Sequence, residues 1–122
     1  MIEIHDAIPD HKALLALEPE ELAGKLLFLM RERFEREKNQ LQTSDFITEV
    51  MTKKLPSDGG KGYPNDVRVS VAYALTEAMM WLQTQGLLIP FPADHTAPGR
   101  MFSRRARAFE TIEDFQQFVM AK

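Results

Sequence analysis

The side chains whose type and spacing could do chemistry are the cations of the second half: Lys53, Lys54, Lys61, Arg68, Arg100, Arg104, Arg105 and Arg107. Ammonium and guanidinium groups clustered in this way contact phosphate, and guanidinium can also read a base edge. Residues 1–50 hold 6 basic and 11 acidic side chains, residues 51–107 hold 8 and 4, and residues 108–122 hold 1 and 3. The middle-to-late segment is therefore the one place suited to an anionic partner. The net charge of −3 makes the whole chain too acidic to be read as a nucleic-acid binder on charge alone.

Other candidate motifs fail on spacing or on a missing partner. Asp58-Gly59-Gly60-Lys61-Gly62-Tyr63 has the glycines and lysine of a phosphate cradle. It lacks the glycine spacing and the hydroxyl that would hold a metal, and a helix rather than a strand precedes it. His5, His11 and His95 show no i,i+4 pair, and there is no cysteine, so no metal site is expected. Ser44, Ser57, Ser70 and Ser103 have no visible base partner. Glu20-Glu21 and Glu113-Asp114 stand at helix starts, where the helix dipole accounts for them. Glu77 is expected to be half-buried and paired with Arg104 or Arg105, as a structural ion pair rather than a catalytic acid. No enzyme activity and no cofactor are expected.

These residues need elements to position them. A 122-residue chain with 44% hydrophobic and 27% charged residues suits one domain, 1–122, with a core that needs no covalent staple. The apolar turn Ala13-Leu14-Leu15-Ala16-Leu17 precedes a helix that Pro19, Glu20 and Glu21 open. Leu22, Leu26, Met30 and Phe34 repeat at four-residue spacing, with Leu27 and Leu29 widening the stripe. The charged run 31–38 reads as a solvated helix end. A second helix starts near Ser44, with Phe46, Ile47, Val50 and Met51 as its apolar face, and stops at Leu55-Pro56.

Asn65 is expected to cap a third helix over residues 66–85, with Val71, Leu75, Ala78, Met79 and Leu82 at helical spacing. The alternation of Val67, Val69 and Val71 also fits a start near Ser70. Gly86 is the C′ residue. Residues 87–91 form a short strand in which Pro90 requires an edge or an end, residues 92–99 a turn-rich tip, and residues 100–102 the returning strand. Ser103 caps a basic turn, and Thr111 with Asp114 forms a capping box for a last helix that turns Ile112, Phe115, Phe118 and Val119 inward. The expected fold is mainly α with a small β-hairpin. It is winged-helix-like: three helices, a two-stranded wing and a C-terminal helix.

The stretch Ala74-Leu75-Thr76-Glu77-Ala78-Met79-Met80-Trp81-Leu82-Gln83-Thr84-Gln85-Gly86-Leu87-Leu88 carries a resemblance. It resembles the winged-helix-like N-terminal region of an uncharacterised bacterial family associated with abortive-infection or restriction-type defence. There a helix with a Trp-Leu pair runs into a Gly-Leu-Ile turn, a hairpin, then Phe, Ser or Thr, and an arginine-rich turn. Trp81, Leu82, Gly86, Leu87, Leu88, Phe102, Ser103, Arg104 and Arg105 occupy those places, and Leu14, Leu15, Leu17, Pro19, Glu20, Glu21 and Leu22 also look similar. The resemblance implies a winged helix and no established activity. Those proteins continue into a separate C-terminal domain, so this chain is either a stand-alone version or a piece of a longer protein.

The functional expectation is a non-enzymatic winged-helix module that binds double-stranded DNA in a regulatory or defence role. The eight cations above are its contact residues, although Val67, Val69, Val71, Ala72 and Ala74 leave the third helix thin in base-reading side chains. The alternative is a protein-interaction or dimerisation module on the same fold, using the apolar third helix and Phe109, Phe115 and Phe118. No apolar run reaches the length of a membrane span, the N-terminus lacks the pattern of a signal peptide, and a cysteine-free chain fits the cytoplasm.

Overall fold

A computed structural model describes residues 3–37, 44–52, 62–90 and 100–121, without the side chains of 34–37, 44, 45 and 90. In order these are helices α1 (Ile4–Ala7), α2 (His11–Ala16), α3 (Pro19–Glu37) and α4 (Ser44–Thr52), a 3-10 turn (Asn65–Val67) and helix α5 (Arg68–Thr84). Strands β1 (Leu88–Pro90) and β2 (Arg100–Phe102) follow, then helices α6 (Arg104–Ala108) and α7 (Ile112–Met120). The fold is mainly α with one antiparallel hairpin and a C-terminal helix, compatible with a winged helix. The first three helices expected from the sequence are α3, α4 and α5, and two short helices precede them.

The core forms where α3 lies on α5. Leu22, Ala23, Leu26, Leu27 and Met30 of α3 meet Val71, Leu75, Ala78, Met79 and Leu82 of α5, all buried. Phe46 and Val50 add the face of α4. At the helical repeat these positions make one stripe per helix, and burying each large apolar side chain stabilises the fold by about 1.5–3 kcal/mol. Leu87, Leu88 and Phe102 of the hairpin, with Ala106, Phe109 and Phe115, extend the same core.

The stops and starts are local chemistry. Gly86 takes φ +74°, and its N–H bonds the Gln83 carbonyl (3.0 Å) while the Leu87 N–H bonds Leu82 (2.9 Å). This is a Schellman ending: it satisfies two helix carbonyls and buries Leu87 beside Leu82. The chain then enters β1, whose Leu88, Ile89 and Pro90 face Phe102, Met101 and Arg100. Pro90 sits at the strand end, as its missing N–H requires. Ser103 Oγ accepts from the Ala106 N–H and caps α6 (3.3 Å). The start of α5 differs from expectation. Asn65 makes no side-chain cap; residues 65–67 form a 3-10 turn instead, and Val67 precedes the helix.

Helix α7 packs across α3 at Gly24. An added Cβ there would lie 2.8 Å from the buried Phe115 ring and 3.2 Å from Ile112 Cδ1. That ring is also held by Trp81 and Phe109 at centroid distances of 5.8 and 5.7 Å, so it has little room to retreat. Gly24→Val is expected to destabilise the chain by about 2 kcal/mol through overpacking, read as a lower urea midpoint with an unchanged slope.

The capping box of α7 is formed: Thr111 Oγ1 accepts the Asp114 N–H (3.3 Å) and Asp114 Oδ2 accepts the N–H groups of Thr111 (3.1 Å) and Glu110 (2.9 Å). Those backbone donors hold the Asp114 carboxyl below its ordinary range, with the Glu110 bond the largest cause. A depressed folded-state value gives stability that is present above the unfolded value, about pH 4, and lost as pH falls through the folded value. Asp114→Asn is therefore expected to remove part of the acid-side loss of helicity followed by circular dichroism between about pH 4 and 2.

Candidate interaction surface

The predicted basic residues that the structure describes divide between two places: Arg68 at the start of α5, and Arg100, Arg104, Arg105 and Arg107 on the returning strand and α6. Arg68 opens α5 but is only 4% exposed. Its Nε donates to the Tyr63 carbonyl (2.9 Å) and its Nη1 to the Met51 carbonyl (3.3 Å). The guanidinium thus ties α4 and residue 63 to the start of α5, and it is a correction to the expectation of a groove-facing cation. Arg100 Nε donates to Gln83 Oε1 at the opposite end of α5 (3.2 Å). By helix rise, residues 68 and 83 stand about 22 Å apart. Arg104, Arg105 and Arg107 are exposed on α6. Arg105 lies over the Phe118 ring (5.3 Å), and Arg107 Nε donates to the Phe102 carbonyl (3.1 Å). Lys53, Lys54, Lys61 and the wing tip at 91–99 lie outside the described residues.

Other expectations also shift. Glu77 is exposed rather than half-buried. Of the run 31–38, whose side chains are described only for 31–33, Arg31 Nη1 donates to the Phe109 carbonyl (2.6 Å) and Arg33 pairs with Glu49 (2.8 Å) at side-chain exposures of 17 and 12%, so that part is not simply solvated. Glu49 Oε1 also accepts the Ile4 N–H (2.9 Å), joining α1, α3 and α4. Tyr63, buried, donates its hydroxyl to the Ile8 carbonyl (2.6 Å) and meets the His5 ring edge-on at 5.0 Å. Burial, then the Glu49 carboxylate, push its phenol up. Among the described residues no group of three His, Cys, Asp or Glu side chains could hold a metal. His95 lies outside them.

The apolar surface lies elsewhere than the phenylalanines of the last helix. Phe109 and Phe115 are buried, and Phe118 packs against both. The outer face of α5 instead shows Val69, Tyr73 and Met80, at 52, 66 and 56% exposure. Ser70, Thr76, Glu77 and Thr84 share that face. Beside it lies a cleft of about 290 Å³ between the α2–α3 turn and α5, lined by Leu15, Leu17, Pro19, Leu22, Ser70, Tyr73, Ala74 and Glu77. In a DNA-reading winged helix this outer face would carry arginine, asparagine or glutamine. Here it carries three large apolar side chains and one carboxylate. The signal in the sequence was the spacing of Val69, Tyr73 and Met80, which lies off the core stripe of the same helix.

Comparisons with known proteins return no match to a family model, to a curated protein or to a solved structure. Among the described residues no helix is long and apolar enough to cross a membrane.

Removing Arg68 leaves the buried Tyr63 carbonyl and the part-buried Met51 carbonyl short of a donor. Arg68→Ala is expected to cost roughly 2–4 kcal/mol of stability, read as a lowered denaturation midpoint. A surface cation would instead leave the midpoint unchanged.

Proposed function

We propose that this domain is a non-enzymatic protein-interaction module that uses the outer face of α5. The observation that carries the reading is the chemistry of that face: Val69, Tyr73 and Met80 are exposed together with Glu77, and Arg68 at the helix start is buried. Phosphate and base edges call for cations and hydrogen-bond donors at the start of such a helix. A protein surface calls for apolar and aromatic anchors, which this face supplies. The cleft beside it gives a partner's side chain somewhere to enter. The winged-helix frame then serves as a rigid mount. A regulatory or defence role would act through the partner it holds. The cytoplasm suits a chain without cysteine.

A second reading, duplex DNA binding, is favoured by Arg104, Arg105 and Arg107 exposed in succession after the returning strand of the wing. The two readings part in one titration. At about 50 mM salt, where phosphate contacts are strongest, the chain is expected to show no binding to a mixed-sequence duplex up to roughly 100 µM. Tighter binding that weakens steeply with salt and is lost when Arg104, Arg105 and Arg107 become alanine would move the function to nucleic acid. If Tyr73→Glu also abolished that binding, the α5 face itself would be a nucleic-acid surface.

A further inference from the structure

We propose that the partner of the α5 face is a second copy of this chain, with the two α5 helices antiparallel about a two-fold axis. The proposal rests on the protein-interaction reading and names its partner. Val69, Tyr73, Thr76 and Met80 are exposed at spacings of four, three and four residues. That series reads the same in both directions. Reversing one helix therefore sets Val69 against the partner's Met80 and Tyr73 against the partner's Thr76, in four layers, with Ser70, Glu77 and Thr84 along the edge of the same face. A surface that complements itself in this way closes into a dimer and stops.

Charge agrees with this pairing. The face carries no cation, and Glu77 is its one carboxylate. In the antiparallel register each Glu77 stands within about 3 Å, along the axis, of the level of the partner's Ser70, which can donate to it. The two carboxylates are offset by about 7.5 Å along the axis. A parallel pairing would set them at the same height and align the two helix dipoles. Leu15, 40% exposed on the rim of the cleft, flanks the incoming helix. Covering this face along about 17 Å of helix buries on the order of 1,000 Å² over both copies, the lower end for specific association. The dimer is accordingly reversible, with a dissociation constant in the micromolar range, roughly 1–100 µM.

Sedimentation velocity on the full chain from about 1 to 500 µM tests this. The expected result is a concentration-dependent shift from monomer to dimer. Tyr73→Glu should weaken it at least about tenfold with an unchanged circular dichroism spectrum. Because the chain has no cysteine of its own, a Val69→Cys, Met80→Cys double variant should give cross-linked dimer with a short bismaleimide. Val69→Cys alone should not, since the two copies of that position lie about 16 Å apart along the axis. A monomer at every concentration overturns the proposal and leaves the protein-interaction reading in place. So does a dimer indifferent to Tyr73→Glu, while equal cross-linking by Val69→Cys alone overturns the antiparallel pairing. Salt-dependent duplex binding that Tyr73→Glu abolishes overturns the protein-interaction reading itself.

Discussion

The packing of α3 against α5 is the contact from which the other elements take their places. Each helix offers one apolar stripe, and α5 commits its own, from Val71 to Leu82, to that contact and to α4. A helix of this kind has a second side. Once the core stripe is fixed, Val69, Tyr73 and Met80 have nowhere to go but outward, because they lie on the opposite arc of the helical repeat. The exposed face is thus a geometric consequence of the core and not a local accident.

Polar side chains then lock the frame around that pair. Arg31 reaches the carbonyl of Phe109, Arg33 pairs with Glu49, Glu49 holds the first turn of α1, and Arg68 bridges residues 51 and 63. All but the Arg33–Glu49 pair satisfy a backbone carbonyl or amide. Arginine suits the work because its planar fork serves several acceptors while its stem packs against apolar surface. The guanidinium of Arg33 also lies over the Phe46 ring at 4.6 Å and that of Arg31 over Phe28 at 5.1 Å, adding cation–π contacts.

This explains which features could be read from the sequence. The Gly86 ending, the Ser103 cap, the Thr111–Asp114 box and the opening at Pro19 each depend on residues a few positions apart, so their signals were legible. The mainly helical order and the hairpin followed from them. The roles of Arg31, Arg33 and Arg68 were not legible, because their partners are 78, 16 and up to 17 residues away. A cation with a distant acceptor looks in sequence like any solvated charge. Glu77 failed in the opposite way: its place in the middle of a helix suggested burial, yet it lies on the arc that the core does not use. The cation-rich composition of the second half was therefore legible, but the inward place of Arg68 was not.

A winged-helix frame is limited in what it can become. Its third helix meets a partner only through the arc left over by the core, and the start of that helix is where a DNA reader puts its cations. In this chain the start is consumed by architecture, since Arg68 is needed indoors to satisfy carbonyls from α4 and from residue 63. What α5 leaves outdoors is Val69, Tyr73 and Met80 among hydroxyl side chains, with Glu77 for its single charge. The exposed arginines of α6 lie at the hairpin end of the molecule, where Arg100 meets the last turn of α5. The outer face of α5 and the arginines of α6 therefore offer different chemistry, and a ligand that suits one has no electrostatic reason to reach for the other.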